Sequence, residues 1–112
     1  MYMPYANDKR LSVGINTSTS GDNEIIAAPG AGVFLAVDFI LVNPNGGTQT
    51  LILKSGSTER FRVILDEGQP FVLENTIHDP EGILTCASNS AFNLNLSAAT
   101  QVTGYIKYRK VT

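Results

Sequence analysis

The residues best suited to chemistry in this sequence are few, and their spacing serves none of the familiar reactions. There is one cysteine, Cys86, and one histidine, His78. A thiolate nucleophile needs a base within hydrogen-bond reach and a third group to orient that base. His78 falls in a turn-rich stretch, and Cys86 reads better as a small buried hydrophobe. One His and one Cys cannot build a zinc site, and neither Asp22-Asn23-Glu24 nor Asp79-Pro80-Glu81 follows a calcium loop. A glycosidase needs two carboxylates facing each other across a cleft. The ten acids of this chain sit mostly in turns or beside arginines, as on a solvated surface. Pro29-Gly30-Ala31-Gly32 joins two strand-like runs and opens no helix, so it is not a phosphate cradle. Asn-X-Ser patterns at Asn16 and Asn95 would matter only in a secreted eukaryotic protein. A ladder of Asn93, Asn95, Thr48, Thr50 and Thr103 could hydrogen-bond a sugar, but it lacks an aromatic platform and reads as a hydrated sheet face. The expectation is no enzyme, no catalytic residue, no cofactor and no metal.

Charge and composition narrow the partners. A net charge of −2 lacks the basic excess of a nucleic-acid binder. The one basic cluster, Lys107-Tyr108-Arg109-Lys110, divides between two faces if extended, so it reads as a solvated strand end. No apolar run approaches the ~20 residues of a membrane span, and MYMPYANDKR has no apolar core of signal-peptide length. A single cysteine allows no internal disulfide and demands no oxidising compartment. With 112 residues and a 43% hydrophobic share, the chain suits one domain that folds without staples.

The elements that must position these residues are strands. Turn signals recur at short intervals: Ser20-Gly21-Asp22-Asn23, Pro29-Gly30, Asn43-Pro44-Asn45-Gly46-Gly47, Ser55-Gly56-Ser57, Glu67-Gly68-Gln69-Pro70, Asp79-Pro80-Glu81-Gly82 and Ser88-Asn89-Ser90. Between them lie runs of Val, Ile, Leu, Phe and Thr, predicting strands near 11–16, 23–28, 33–42, 48–54, 59–66, 70–74, 82–86, 91–96 and 101–110. Alternation turns Leu51, Leu53, Phe61, Val63, Leu65, Phe92, Leu94 and Leu96 inward. This pattern predicts an all-β fold, a two-sheet antiparallel sandwich of about eight strands, jelly-roll-like. Residues 1–10 read as an N-terminal arm and residues 11–112 as the single sandwich domain. In the arm, Tyr2, Met3 and Tyr5 are either a frayed end or a contact with a neighbouring molecule.

One run breaks the alternation. VFLAVDFILV (33–42) is apolar on both faces except for Asp38, and a two-layer sandwich covers only one face of each strand. The second cover is a long loop, the arm or another copy of the chain; another copy is favoured. On that reading Phe34, Asp38, Ile40, Val42, Arg60 and Arg62 form a subunit interface. The costly buried carboxylate of Asp38 then finds Arg60 or Arg62 as its partner. The competing reading leaves Asp38 in water at a sheet margin.

Three stretches resemble a recurrent type of small structural protein in tailed phages and prophages. They are TSTSGDNEIIAAPGAG (17–32) before a long apolar strand, TLILKSGST (50–58), and AFNLNLSAATQVTGYIKY (91–108). The resemblance covers roughly residues 17–108 and carries no catalytic motif. It implies a β-sandwich or jelly-roll virion component, above all a head decoration (cement) protein. Such a protein forms a homotrimer, binds the major capsid protein on the capsid exterior, and is made in the bacterial cytoplasm. It also implies, as an alternative, a fibre- or tail-associated module that binds a host receptor or glycan. The Tyr/Met-rich arm and Glu59-Arg60-Phe61-Arg62 depart from the pattern.

Overall fold

A computed structural model describes residues 9–77 and 79–112. Its strands are β1 (Arg10–Thr17), β2 (Gly21–Ile26), β3 (Phe34–Pro44), β4 (Gln49–Ser55), β5 (Thr58–Leu65), β6 (Phe71–Glu74), β7 (Leu84–Thr85), β8 (Phe92–Leu96) and β9 (Val102–Val111). The chain is all-β, with two antiparallel sheets. Sheet A runs β1-β9-β3-β6, with β7 also on β3, and sheet B runs β2-β8-β4-β5. Each predicted strand is present. The ninth is the two-residue β7, and β1 begins at Arg10, so that residue belongs to the sheet and not to the arm. Tyr2, Met3 and Tyr5 lie outside the described residues.

The strand order has a simple origin. The chain is one long hairpin with its tip at Gly56-Ser57, between Ser55 and Thr58. Its two arms pair as β4 with β5, β3 with β6 and β7, β2 with β8, and β1 with β9. Rolling this ribbon on itself adds β9 to β3 and β8 to β4 and splits it into two layers. That is the winding of a jelly roll.

Between the layers lies one apolar core. Ile15, Leu35, Val37, Ile40, Val42, Val102 and Ile106 come from sheet A, and Ile26, Leu51, Leu53, Leu65, Phe92, Leu94 and Leu96 from sheet B. The inward residues of β4 and β8 are those that alternation predicts. β5 follows its alternation less well, because it is the sheet edge: Leu65 is buried, but Phe61 is 41% exposed and stacks on Phe71 at 5.8 Å between ring centres. Gln49, fully buried, donates to the carbonyl of Ala98 and the hydroxyl of Thr100, fixing the turn from β8 to β9.

β9 approaches β3 closely at Gly104. A Cβ there would stand 1.8 Å from the carbonyl oxygen of Leu41, which no side-chain rotation relieves. Gly104→Ala is therefore expected to cost about 3 kcal/mol or more of unfolding free energy, read as a lower urea midpoint with an unchanged slope.

Candidate functional site

β3 is central in its sheet, not marginal, and it is bulged. Val37 pairs with Tyr108, while the next paired residue, Phe39, faces Lys107, leaving Asp38 as the extra residue. A bulge inserts one residue and reverses the parity beyond it. Leu35 and Val37 face the core before it, and Ile40 and Val42 face the core after it. The expected outward patch of Phe34, Ile40 and Val42 therefore does not form: Ile40 and Val42 are fully buried, and of the three only Phe34, at 36% exposure, reaches the surface. Strict alternation places Ile40 and Val42 outward; the bulge turns them in.

Asp38 points outward yet is only 4% exposed, and Arg109 beside it is 1% exposed. The guanidinium grips the carboxylate with two hydrogen bonds, Nε to Oδ2 at 2.7 Å and Nη2 to Oδ1 at 3.1 Å. The connection from β6 to β7 folds over this pair. Pro80 accepts from Arg109 Nη2 at 2.8 Å, and Asn75 Nδ2 donates to Asp38 Oδ1 at 3.2 Å and to the Asp79 carbonyl at 2.8 Å. Gly82 lies against the strand so closely that a Cβ would be 2.2 Å from the Val37 carbonyl oxygen. The second cover of the first half of β3 is thus a loop of the same chain. The partner of Asp38 is Arg109, not Arg60 or Arg62. Those two sit on β5, in the other sheet: Arg60 donates to the Thr85 carbonyl at 2.6 Å, and Arg62 pairs with Glu59 at 2.7 Å. The basic cluster at the chain end is split accordingly, with Arg109 buried and Lys107 and Lys110 exposed.

Among the described residues, no such lid covers the rest of the outer face of sheet A. Cross-strand pairing sets two rows there. One is Lys107, Phe39 and Glu74; the other is Tyr105, Leu41 and Val72. Tyr105 is 37% and Val72 49% exposed. Phe39 and Tyr105 meet with ring centres 5.2 Å apart, tilted by 31°. Beside them a cavity of about 170 Å³ is lined by Arg10, Asp38, Phe39, Glu74, Asn75, Tyr105 and Lys107. Here is the aromatic pair that reading the sequence missed. Phe39 and Tyr105 lie far apart in the chain and become neighbours only through the β3–β9 pairing and the shift at Asp38. The polar ladder, in contrast, divides: Asn93, Asn95 and Thr50 lie on the outer face of sheet B, while Thr103 is on β9 in sheet A. On sheet B, Asn95 and Lys54 both donate to Asp22, holding its carboxyl below the usual range.

Among the described residues no group of three or more His, Cys, Asp or Glu could hold a metal ion, and no helix is long and apolar enough to cross a membrane. Cys86 is buried, and His78 lies outside the described residues. Burial pushes the Cys86 thiol above its ordinary value of 9.0, outweighing the hydrogen bond with Ser55 and the charge of Arg60.

Removing one partner of a buried ion pair leaves the other uncompensated. Asp38→Ala is expected to cost about 3–5 kcal/mol by urea denaturation. Arg10→Ala should cost less than about 1 kcal/mol, since Arg10 is 47% exposed and stands 3.8 Å from the Asp38 carboxylate. Near-equal losses from the two substitutions would rule out the pair as the anchor. For Cys86, the raised thiol pKa means that the folded protein holds its proton while the unfolded chain releases it above the ordinary value. Reaction with a disulfide reagent at pH 8 should therefore be slow in buffer and rapid in denaturing urea. Rapid reaction in buffer would contradict the burial of Cys86.

No family model matches the chain, and neither does any curated protein. Among solved structures, the chain is similar to a Bacillus endospore appendage protein from a family of disulfide-linked pili. The identity is 15%, over 94% of this chain and 88% of that one, with a TM-score of 0.56. The likeness is one of fold, to a small β-rich protein.

Proposed function

We propose that this chain is a structural subunit of a large protein assembly, and in particular a decoration (cement) protein on the outside of a tailed-phage head. In that role it would bind its own sister copies and the major capsid protein, and many modest contacts would sum to a stable shell. The observation that carries the structural reading is the apolar row of Tyr105, Leu41 and Val72 on the outer face of sheet A, which no element among the described residues roofs. Contiguous exposed apolar surface rimmed by charge marks interaction sites. The buried ion pair of Asp38 and Arg109 holds the fold together and does not form part of this surface. A pilus protein of similar fold supports the class of role, a building block and not a catalyst. Linkage by disulfides, as in that neighbour's family, does not carry over, because the only cysteine here is buried. The head-decoration role itself rests on the resemblance of residues 17–108 to phage structural proteins.

One observation favours the fibre or tail alternative. Phe39 and Tyr105 form an aromatic wall beside a cavity rimmed by Glu74, Asn75 and Lys107. Aromatic walls with a few convergent polar groups suit a sugar ring. A single experiment separates the readings: incubate the purified protein with empty heads of the phage or prophage that encodes it, and separately with host cells. Co-sedimentation with heads, and heads that then resist heat, are expected. Binding to cells but not to heads would replace the decoration reading with the receptor one.

A further inference from the structure

We propose that two copies of this chain meet face to face on the outer surface of sheet A, about a two-fold axis lying along β3. The inference rests on the self-association part of the reading above and names its surface. It starts from the two rows fixed by strand pairing. Phe39 and Leu41, on the central strand, carry Lys107 and Tyr105 on their β9 side and Glu74 and Val72 on their β6 side. A two-fold axis along β3 exchanges these sides. Lys107 of one copy then lies over Glu74 of the other, Tyr105 lies over Val72, and Phe39 and Leu41 meet their own images. An isologous contact must be complementary to itself in this way.

Three features make a second copy the fitting occupant. The charges match without a new residue: Lys107 and Glu74 are exposed, of opposite sign, and flank the same Phe39 at one level of the sheet. Sheets of this kind pack aligned at about −30° and ~10 Å apart, a gap that a Lys and a Glu can bridge. The other exposed route to self-association, strand addition at the edge of sheet B, is blunted. β5 carries a bulge at Arg60 and the charges Glu59, Arg60 and Arg62 along its length. Bulges and charges are how edge strands avoid pairing. The face is therefore the better surface, although Phe61 and Ile64 on that edge are also exposed.

The contact differs from the trimer that the phage resemblance implies: a two-fold contact builds a dimer or a larger even-numbered assembly. It involves few residues, so it is weak in isolation and gains strength in an assembly of many copies.

The test is a charge swap read by light scattering and sedimentation over a wide concentration range, with circular dichroism to check the fold. The wild type should move from the 12.0 kDa mass toward twice that mass as concentration rises. Lys107→Glu and Glu74→Lys should each weaken the dimer about tenfold or more, because each places like charges opposite. The double variant Lys107→Glu/Glu74→Lys should recover the wild-type constant, and Val72→Glu should abolish association without rescue. A wild type that stays monomeric, or single reversals that leave its constant unchanged, would overturn the inference. Head binding by a monomeric wild type would leave the decoration reading standing while this contact falls. Dimers that follow the swap but ignore heads would do the reverse.

Discussion

A carboxylate in the middle of a central strand has few places to go in a chain this small. Its strand is hydrogen-bonded on both sides, its inward face belongs to the core, and water is the usual refuge. Here Asp38 is held out of water, gripped by Arg109 from the last strand and roofed by the β6–β7 connection. A buried pair of this kind adds little net stability against an apolar replacement, yet breaking it is expensive. Its consequence is geometric. It pins the bulge at one residue of β3 and ties that point to the chain's far end. The bulge in turn decides which side of β3 each later residue faces. Ile40 and Val42 complete the core, and Phe39 and Leu41 are left outside beside Tyr105 and Val72. The proposed contact surface is thus a by-product of where one carboxylate is neutralised.

Much of the fold could be read from local signals. The turn residues delimit the strands to within a few positions, since Gly, Pro, Asn and Asp act within a few bonds of themselves. Alternation in β4 and β8 gave the correct inward sets because those strands pair on both sides, and regularly at their core positions. Failure came where information is non-local. A bulge leaves no reliable mark in the sequence of its own strand; VFLAVDFILV is compatible with either parity after Asp38. The partner of Asp38 lies 71 residues away, and nothing in KYRK distinguishes a buried arginine from a solvated one. Arg60 and Arg62 looked nearer only because the strand order was unknown. The aromatic wall was hidden for the same reason: Phe39 and Tyr105 are neighbours only through the β3–β9 register.

The functional reading follows from what the fold leaves exposed. The outer face of sheet B carries a bonded polar cluster, with Asp22 shared between Asn95 and Lys54, beside the exposed Ile64 of its edge strand, while among the described residues the outer face of sheet A presents the apolar row of Tyr105, Leu41 and Val72. Such asymmetry suits a chain that presents one surface to copies of itself or to a scaffold and another to water.

The central claim is that the bulge at Asp38 turns Leu41 outward as part of a self-association surface while keeping Ile40 and Val42 in the core. Methyl NMR spectra recorded from dilute to concentrated protein test it most directly. The account predicts concentration-dependent shifts for the methyls of Leu41 and Val72, with Ile40 and Val42 unmoved. Unmoved Leu41 and Val72 methyls, with shifts confined to Ile64 on the β5 edge, would contradict it.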